Sequence, residues 1–144
     1  MRPLIPGAAL TLMALVTGCQ TPHTFATPDA SWKSHIGQLK HTNSQRALVG
    51  EVVVQRRGTH EFQLDFLKGG SFPLISIRQD ATTTRAEGLL ANGRWQGSPD
   101  QAPPSLRPWL GLRESFSSNA PLPSGGQPLV FENAGQRFEF QFHR

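Results

Sequence analysis

The sequence predicts a mainly β protein of the α+β class. We expect a curved antiparallel sheet, or incomplete β-barrel, of about seven strands covered by two short helices. Short segments that alternate apolar and polar residues recur about every 8–12 residues, and turn residues separate them. Hydrophobic residues make up 37% of the 144 residues, and 14 glycines add to them, which is an ordinary globular composition. A sheet with one apolar face must cover that face, and two helical segments are available to do so.

The N-terminal residues have the pattern of a secretory signal peptide. Arg2 gives a positive start, and the segment from Leu4 to Val16 is apolar or small throughout and carries no charge. Those 13 residues are too few for a transmembrane helix, which needs about 20. The single cysteine of the chain, Cys19, follows small residues and excludes an intramolecular disulfide.

The sequence Val16-Thr17-Gly18-Cys19 resembles the lipobox of bacterial lipoproteins. The resemblance implies a signal peptide over residues 1–18, cleavage before Cys19 and acylation of that residue, which would anchor the protein to a membrane. Gln20, in place of an aspartate, implies the outer membrane and its periplasmic face. Removal of 18 residues from 144 leaves a mature chain of 126.

The first part of the mature chain is predicted to be a flexible tether. Residues 19–30 are rich in Thr and Pro and show no periodicity. A helix is then predicted over residues 31–40, where Trp32, Ile36 and Leu39 recur at helical spacing and Asp29 or Ser31 can cap the start. The folded domain is expected to span residues 31–144.

A meander of strands follows the predicted helix. Turns are expected at Gly58, at Gly69-Gly70, at Asp80-Ala81 and at Asn92-Gly93. The predicted strands are Leu48–Gln55, His60–Leu67, Leu74–Gln79, Thr82–Leu90 and Arg94–Gly97.

A second helix and a hairpin complete the predicted domain. The helix runs from Ser105, as its cap, to about Ser115, with Pro108 tolerated in the first turn. A loop over residues 116–127 leads into a hairpin around Asn133–Gln136. Its second strand alternates Phe138, Phe140 and Phe142 with polar residues, which predicts one buried face.

The order of these elements resembles the LolB/LolA family of outer-membrane lipoprotein receptors and carriers. The resemblance implies an open barrel closed by helices, with an apolar cavity for acyl chains. It departs from the family in the shorter mature chain and in the loop from Gln79 to Thr82, which lacks a large apolar residue. The segments that carry the resemblance are Trp32 with His35, Leu48–Val52, Phe62–Phe66, Pro73-Leu74, Trp109–Leu112 and Gly135–Arg137.

The large apolar side chains have two interpretations. They would line an acyl-chain cavity if the resemblance extends to function, or they form the solid core of a small domain. A chain of 126 residues buries only about two-thirds of its unfolded surface, which favours a core. The side chains concerned are Trp32, Phe62, Leu64, Phe66, Trp95, Trp109, Phe138 and Phe140.

The sequence contains no recognisable catalytic or cofactor motif, so we expect neither an enzyme nor a bound metal or cofactor. The five histidines form no metal-binding pair, and no serine lies in a nucleophile-elbow frame. Glu51, Asp65 and Glu87 could converge on one sheet face, but the polar face of a meander also accounts for them. The formal charge of +4 is too scattered to indicate nucleic-acid binding.

Two functions remain open. The first is a lipid-anchored protein that binds acyl chains, or lipoproteins through them, for lipoprotein localisation or envelope maintenance. The second is a solid-cored accessory module that binds another envelope protein, with the lipid as its tether.

Overall fold

The computed structural model describes residues 22–117, 122 and 126–143. The predicted signal peptide and Cys19 lie outside these residues. The strands are β1 (Lys33–Thr42), β2 (Ala47–Arg57), β3 (Glu61–Lys68), β4 (Phe72–Gln79), β5 (Thr84–Gly88), β6 (Gly93–Gly97), β7 (Leu129–Asn133) and β8 (Gln136–Phe142). The α-helices are α1 (Arg107–Leu110) and α2 (Leu112–Ser117), and single 3-10 turns occupy Leu89–Ala91 and Pro99–Gln101.

All eight described strands form one antiparallel sheet in the order β6-β5-β4-β3-β2-β1-β8-β7. The sheet is open, with β6 and β7 at its two edges. The mainly β class with a single open antiparallel sheet is therefore confirmed. The described part of the chain has one strand more than the predicted seven, because the segment after residue 32 extends the sheet.

The predicted helix over residues 31–40 is wrong. This segment is β1, which pairs with β2 on one side and with β8 on the other. Gly37, Leu39 and His41 point inward, whereas Ile36 is 56% exposed. The alternation was hidden because two of the three inward positions are a glycine and a histidine, so the helical spacing of the apolar residues dominated the prediction.

Gly37 is required by the close approach of two strands. A Cβ atom at this position would lie 2.1 Å from the carbonyl oxygen of Gln141 and 2.6 Å from the Cα of Phe142, both on β8. Contacts this short do not occur between a real Cβ and a backbone. Glycine in a strand often marks such an approach, and here it lets β8 pair with β1.

The core lies between one face of the sheet, the inner face, and the segment 102–117. The predicted second helix is present, but it is divided at Gly111 into α1 and α2, and its N-cap is Leu106, with no side-chain cap from Ser105. Trp109, Leu112 and Phe116 face the sheet and are at most 2% exposed. The cover is thus a single helical segment, since the other predicted helix is a strand.

Three hydrogen bonds from side chains to backbone carbonyls tie this cover to the sheet. Asn133 Nδ2 donates to the Pro108 oxygen at 3.2 Å, and Arg113 donates to the Asp80 oxygen at 2.9 Å. Arg56 donates to the carbonyl oxygen of Phe116. The cover is therefore fixed at both ends by polar contacts as well as by burial.

Part of the predicted tether contacts the opposite, outer face of the sheet. Residues 22–29 form no helix or strand. His23 Nε2 lies 2.5 Å from Asp80 Oδ2, and the ring of Phe25 lies 5.1 Å from the guanidinium of Arg85. Gln63 Nε2 donates to the Ala26 oxygen at 3.3 Å. This N-terminal segment thus crosses the outer face from β5 towards β1.

Within the described residues, no helix combines the length and hydropathy needed to span a membrane.

Candidate functional site

Most of the residues predicted to line a cavity meet in one tightly packed cluster. Five of them lie on the inner face of the sheet and are at most 1% exposed, and Trp109 packs against them from the cover with 2% exposure. The five are Phe62, Leu64, Phe66, Phe138 and Phe140.

The aromatic rings in this cluster contact one another directly. Trp109 lies edge-on to Phe138, with centroids 4.9 Å apart, and 5.9 Å from Phe66. Phe116 makes an edge contact with Phe140 at 5.0 Å and stacks on Phe62 at 5.9 Å. Such distances are those of stabilising aromatic pairs. The cover therefore fills the space over the sheet with side chains of its own, Phe116 among them, which the sequence-based set did not include.

Two of the predicted lining residues lie elsewhere. Trp32 is 8% exposed but is not part of the core cluster, and the guanidinium of Arg57 lies 5.4 Å from its ring. Trp95, on the edge strand β6, is half-buried and packs at the margin of the core. The sequence grouped both with the other aromatics because residue type and spacing do not show that Trp32 precedes β1 or that Trp95 lies on an edge strand.

His41 is a core residue that sequence reasoning did not assign to the core. It is 2% exposed, its ring lies 4.6 Å from Trp109 and 5.0 Å from Phe138, and its Nε2 lies 2.7 Å from Gln136 Oε1. Burial lowers the pKa of His41, with the hydrogen bond to Gln136 opposing this and Arg46 adding to it. The signal in the sequence was its even spacing from Gly37 and Leu39.

A depression beside the core opens at His41. It has a volume of about 250 Å³, and Trp109 is one of its walls. Four other depressions on the described surface have none of the predicted lining residues in their walls. The other walls of the depression at His41 are largely polar and include Asn43, Arg46 and Gln136. This chemistry does not suit an acyl chain.

A groove on the outer face is the largest of these depressions, at about 320 Å³. Register brings its walls together: Lys40 is opposite Val49 on β2 and Glu139 on β8, and Gln38 is opposite Gln141. Val49 is 58% exposed, and exposed Ile36 lies on the same face of the sheet. The outer-face groove combines exposed apolar atoms with hydrogen-bonding groups, as protein-binding surfaces do.

The three carboxylates considered as acid–base candidates belong to the outer face. Asp65 accepts hydrogen bonds from Ser76 at 2.7 Å and Arg78 at 3.1 Å, and Glu87 lies 3.8 Å from Arg94. Glu51 is exposed on β2. Among the described residues, no group of three His, Cys, Asp or Glu side chains could hold a metal ion.

No protein-family model matches the sequence, and no curated protein matches it either. The proposed function therefore rests on the residues and their geometry.

Proposed function

We propose that this protein is a non-enzymatic lipoprotein of the bacterial envelope whose domain binds another envelope protein. Its lipid on Cys19 holds it to the outer membrane on the periplasmic side. One observation carries the choice of a protein partner: the side chains that would line an acyl-chain cavity are in mutual contact and at most 2% exposed, apart from Trp32 and Trp95. A filled core leaves the surface as the place of binding.

The outer-face groove is the proposed binding surface. Val49, which is 58% exposed, lines the groove together with Glu139, and the groove offers both donors and acceptors. Ile36, 56% exposed, lies on the same face of the sheet outside the groove. A partner that covers this region would bury apolar surface at the centre and hydrogen-bond to Gln38 and Gln141 at its margin.

Site-specific photo-crosslinking in the native envelope tests this surface. A photoreactive amino acid at position 49 is expected to give one discrete adduct with a single partner. The matched control is position 72, because Phe72 is 56% exposed but is the first residue of β4, outside the groove. Equal adducts from both positions, or none from position 49, would overturn the proposed surface.

The lipid anchor has a separate test. A Cys19→Ser variant is expected to lose acylation and to leave the membrane fraction or remain unprocessed. The diagnostic measurement is labelling with a radioactive fatty acid followed by fractionation. Unchanged fractionation of the variant would remove the anchor from the proposal.

Acyl-chain binding is a second candidate, and one observation favours it. The aromatic cluster lies beneath a cover of only two short helices, α1 and α2, held to the sheet by the three polar contacts at Asn133, Arg113 and Arg56. Displacement of this cover would expose an apolar sheet face.

A fluorescent fatty-acid probe distinguishes the two candidates. If the domain binds a protein at the outer-face groove, the probe is expected to show no saturable binding. If it binds acyl chains, the probe is expected to bind saturably. Asn133→Ala should then raise the affinity for the probe, because it loosens the cover. Arg substitutions at Phe66 or Trp109 are unsuitable variants, because these residues are 0% and 2% exposed and a buried arginine would unfold the domain.

A further inference from the structure

The N-terminal segment leaves the domain at one particular end of the sheet. We call it the anchor end and define it by the β2–β3 and β4–β5 connections, residues 57–61 and 79–84. His23 is held there by the 2.5 Å contact with Asp80. Asp80 is fixed in turn, since its Oδ1 accepts the backbone N–H groups of Thr82 and Thr83 at 3.0 and 2.9 Å.

The position of His23 limits how far the anchor end can lie from a lipid on Cys19. Cys19 is four positions before His23. An extended chain spans at most about 3.3–3.6 Å per residue, so the two residues are at most about 14 Å apart. This step rests on the proposed acylation of Cys19. If that residue is acylated, the anchor end lies next to the lipid headgroups and the opposite end does not.

A pocket of three cations lies at the same end. It has a volume of about 190 Å³, and its walls include Lys33, Arg56 and Arg57 together with the hydroxyl groups of Ser31 and Thr59. Register places Lys33 of β1 directly opposite Arg56 of β2, so the charges are adjacent. Guanidinium, ammonium and hydroxyl groups around one concavity are the donors that bind phosphate oxygens.

Nearby carboxylates leave this charge incompletely neutralised. Glu61 pairs with Arg57 at 2.7 Å, and Asp29 accepts hydrogen bonds from Ser31. Among the described residues, neither Lys33 nor Arg56 has a carboxylate within 4.0 Å. One nitrogen of the Arg56 guanidinium donates to the Phe116 oxygen, which leaves its positive charge without a counterion.

The positive charges of the pocket also affect the pKa of the neighbouring residue His35. Burial lowers the pKa of His35, and the positive charges of Arg56 and Lys33 lower it further. Lys33 and Arg56 therefore place positive charge at the wall of the pocket, as an anion site requires.

We propose that the anchor end binds the phosphate groups of anionic phospholipids, with Lys33, Arg56 and Arg57 as the phosphate-binding residues. Lipid attachment and phosphate binding then act together. The first keeps the pocket at the membrane, and the second fixes which end of the domain faces the lipid. The outer-face groove stays accessible to a partner.

Vesicle sedimentation of the chain from residue 19 onward, carrying Cys19→Ser, tests the proposal without any acyl chain. The protein is expected to bind phosphatidylcholine vesicles that contain phosphatidylglycerol and not vesicles of phosphatidylcholine alone. Adding Lys33→Gln is expected to weaken binding about fivefold, the effect of one basic residue at an anionic surface. The matched control is Lys68→Gln, an exposed lysine at the opposite end of the sheet, which is expected to change nothing.

Each alternative outcome overturns the proposal. Equal weakening by Lys33→Gln and Lys68→Gln would mean that net charge alone drives binding. If inorganic phosphate shifts the amide resonances of Gly58 and Thr59 but vesicles do not bind, free phosphate is the ligand. Acylation does not enter this assay, so failure here leaves the lipid anchor standing, and failure of the Cys19→Ser fractionation test removes the anchor alone.

Discussion

The imidazole of His41 on β1 lies 4.6 Å from the indole of Trp109 in the cover, and both side chains are 2% exposed. A titratable group is therefore built into the contact between the sheet and the cover. Its Nε2 is held by Gln136, whereas its buried Nδ1 has no hydrogen-bond partner among the described residues. Protonation of this ring would place a charge in an apolar contact.

Stability is expected to fall on mild acidification because of His41. Burial lowers its folded pKa below the ordinary value of 6.5, so the unfolded chain takes up the proton first as pH falls. The contribution is fully present above 6.5 and is lost progressively between 6.5 and the lowered folded pKa. Urea unfolding at several pH values from about 7.5 to about 5 measures the slope. His41→Asn should reduce this slope, and the part that comes from half-buried His35 should remain. Exposed His60→Asn should leave the slope as it is, and equal slopes in the two variants would contradict the prediction.

Truncation of a core phenylalanine separates a filled core from a cavity. Phe138→Ala is expected to lower the free energy of unfolding by about 3–5 kcal/mol, because Phe138 is 0% exposed and contacts both His41 and Trp109. Phe72→Ala should cost less than about 0.5 kcal/mol, since Phe72 is 56% exposed. Urea denaturation compares the two variants. A small cost at Phe138 would indicate empty space around it.

Gly37→Ala distinguishes the strand from the helix that the spacing predicts. In a helix, alanine in place of glycine would raise the free energy of unfolding by about 0.5–1 kcal/mol. In β1 its Cβ would meet the Gln141 carbonyl, so a loss of about 1–3 kcal/mol or more is expected. Chemical denaturation gives the sign, and faster amide exchange in β8 would locate the damage. Ser34→Ala, exposed on the same strand, is the control; stabilisation by Gly37→Ala would contradict the close approach.

The N-terminal segment is expected to be held by individually weak contacts. Phe25→Ala removes the ring beside Arg85 and should lower stability by less than about 1 kcal/mol. It should also raise amide exchange at Trp32, whose N–H donates to the Asp29 oxygen at 3.1 Å where the segment ends. Thr24→Ala, an exposed neighbour, should do neither. Hydrogen–deuterium exchange with mass spectrometry measures both. Unchanged exchange in Phe25→Ala would mean that the ring does not hold the segment on the sheet.

Local patterns predicted most of the strands, but they predicted a helix where β1 lies. The hairpins of β2 with β3 and of β7 with β8 follow from alternation and from glycine in their turns, because both signals lie within a few residues of each other. β1 pairs with β2 across the turn at residues 43–46 and with β8 about 100 residues later in the chain. The alternation of Gly37, Leu39 and His41 was a weak local signal for this strand, and the requirement for Gly37 arises only because Gln141 lies beside it.

The proposed sites also depend partly on the sequence pattern and partly on contacts between distant residues. The aromatic residues could be selected from the sequence, but whether they enclose a space depends on Phe116 and Trp109 packing down from the cover. The proposed phosphate-binding pocket combines Lys33, in the segment that the spacing predicts as a helix, with Arg56 and Arg57 at the end of β2. It exists because antiparallel pairing sets Lys33 opposite Arg56.

The sequence by itself determined the β class, most strand positions and the resemblance of Val16–Cys19 to a lipobox, since each depends on residue types at short spacing. Only the tertiary structure decided that residues 33–42 form a strand, that the aromatic core is filled, and that three cations meet at the end from which the N-terminal segment leaves. The physical reason is that strand pairing and side-chain packing join residues far apart in the chain, and these contacts outweigh local preference.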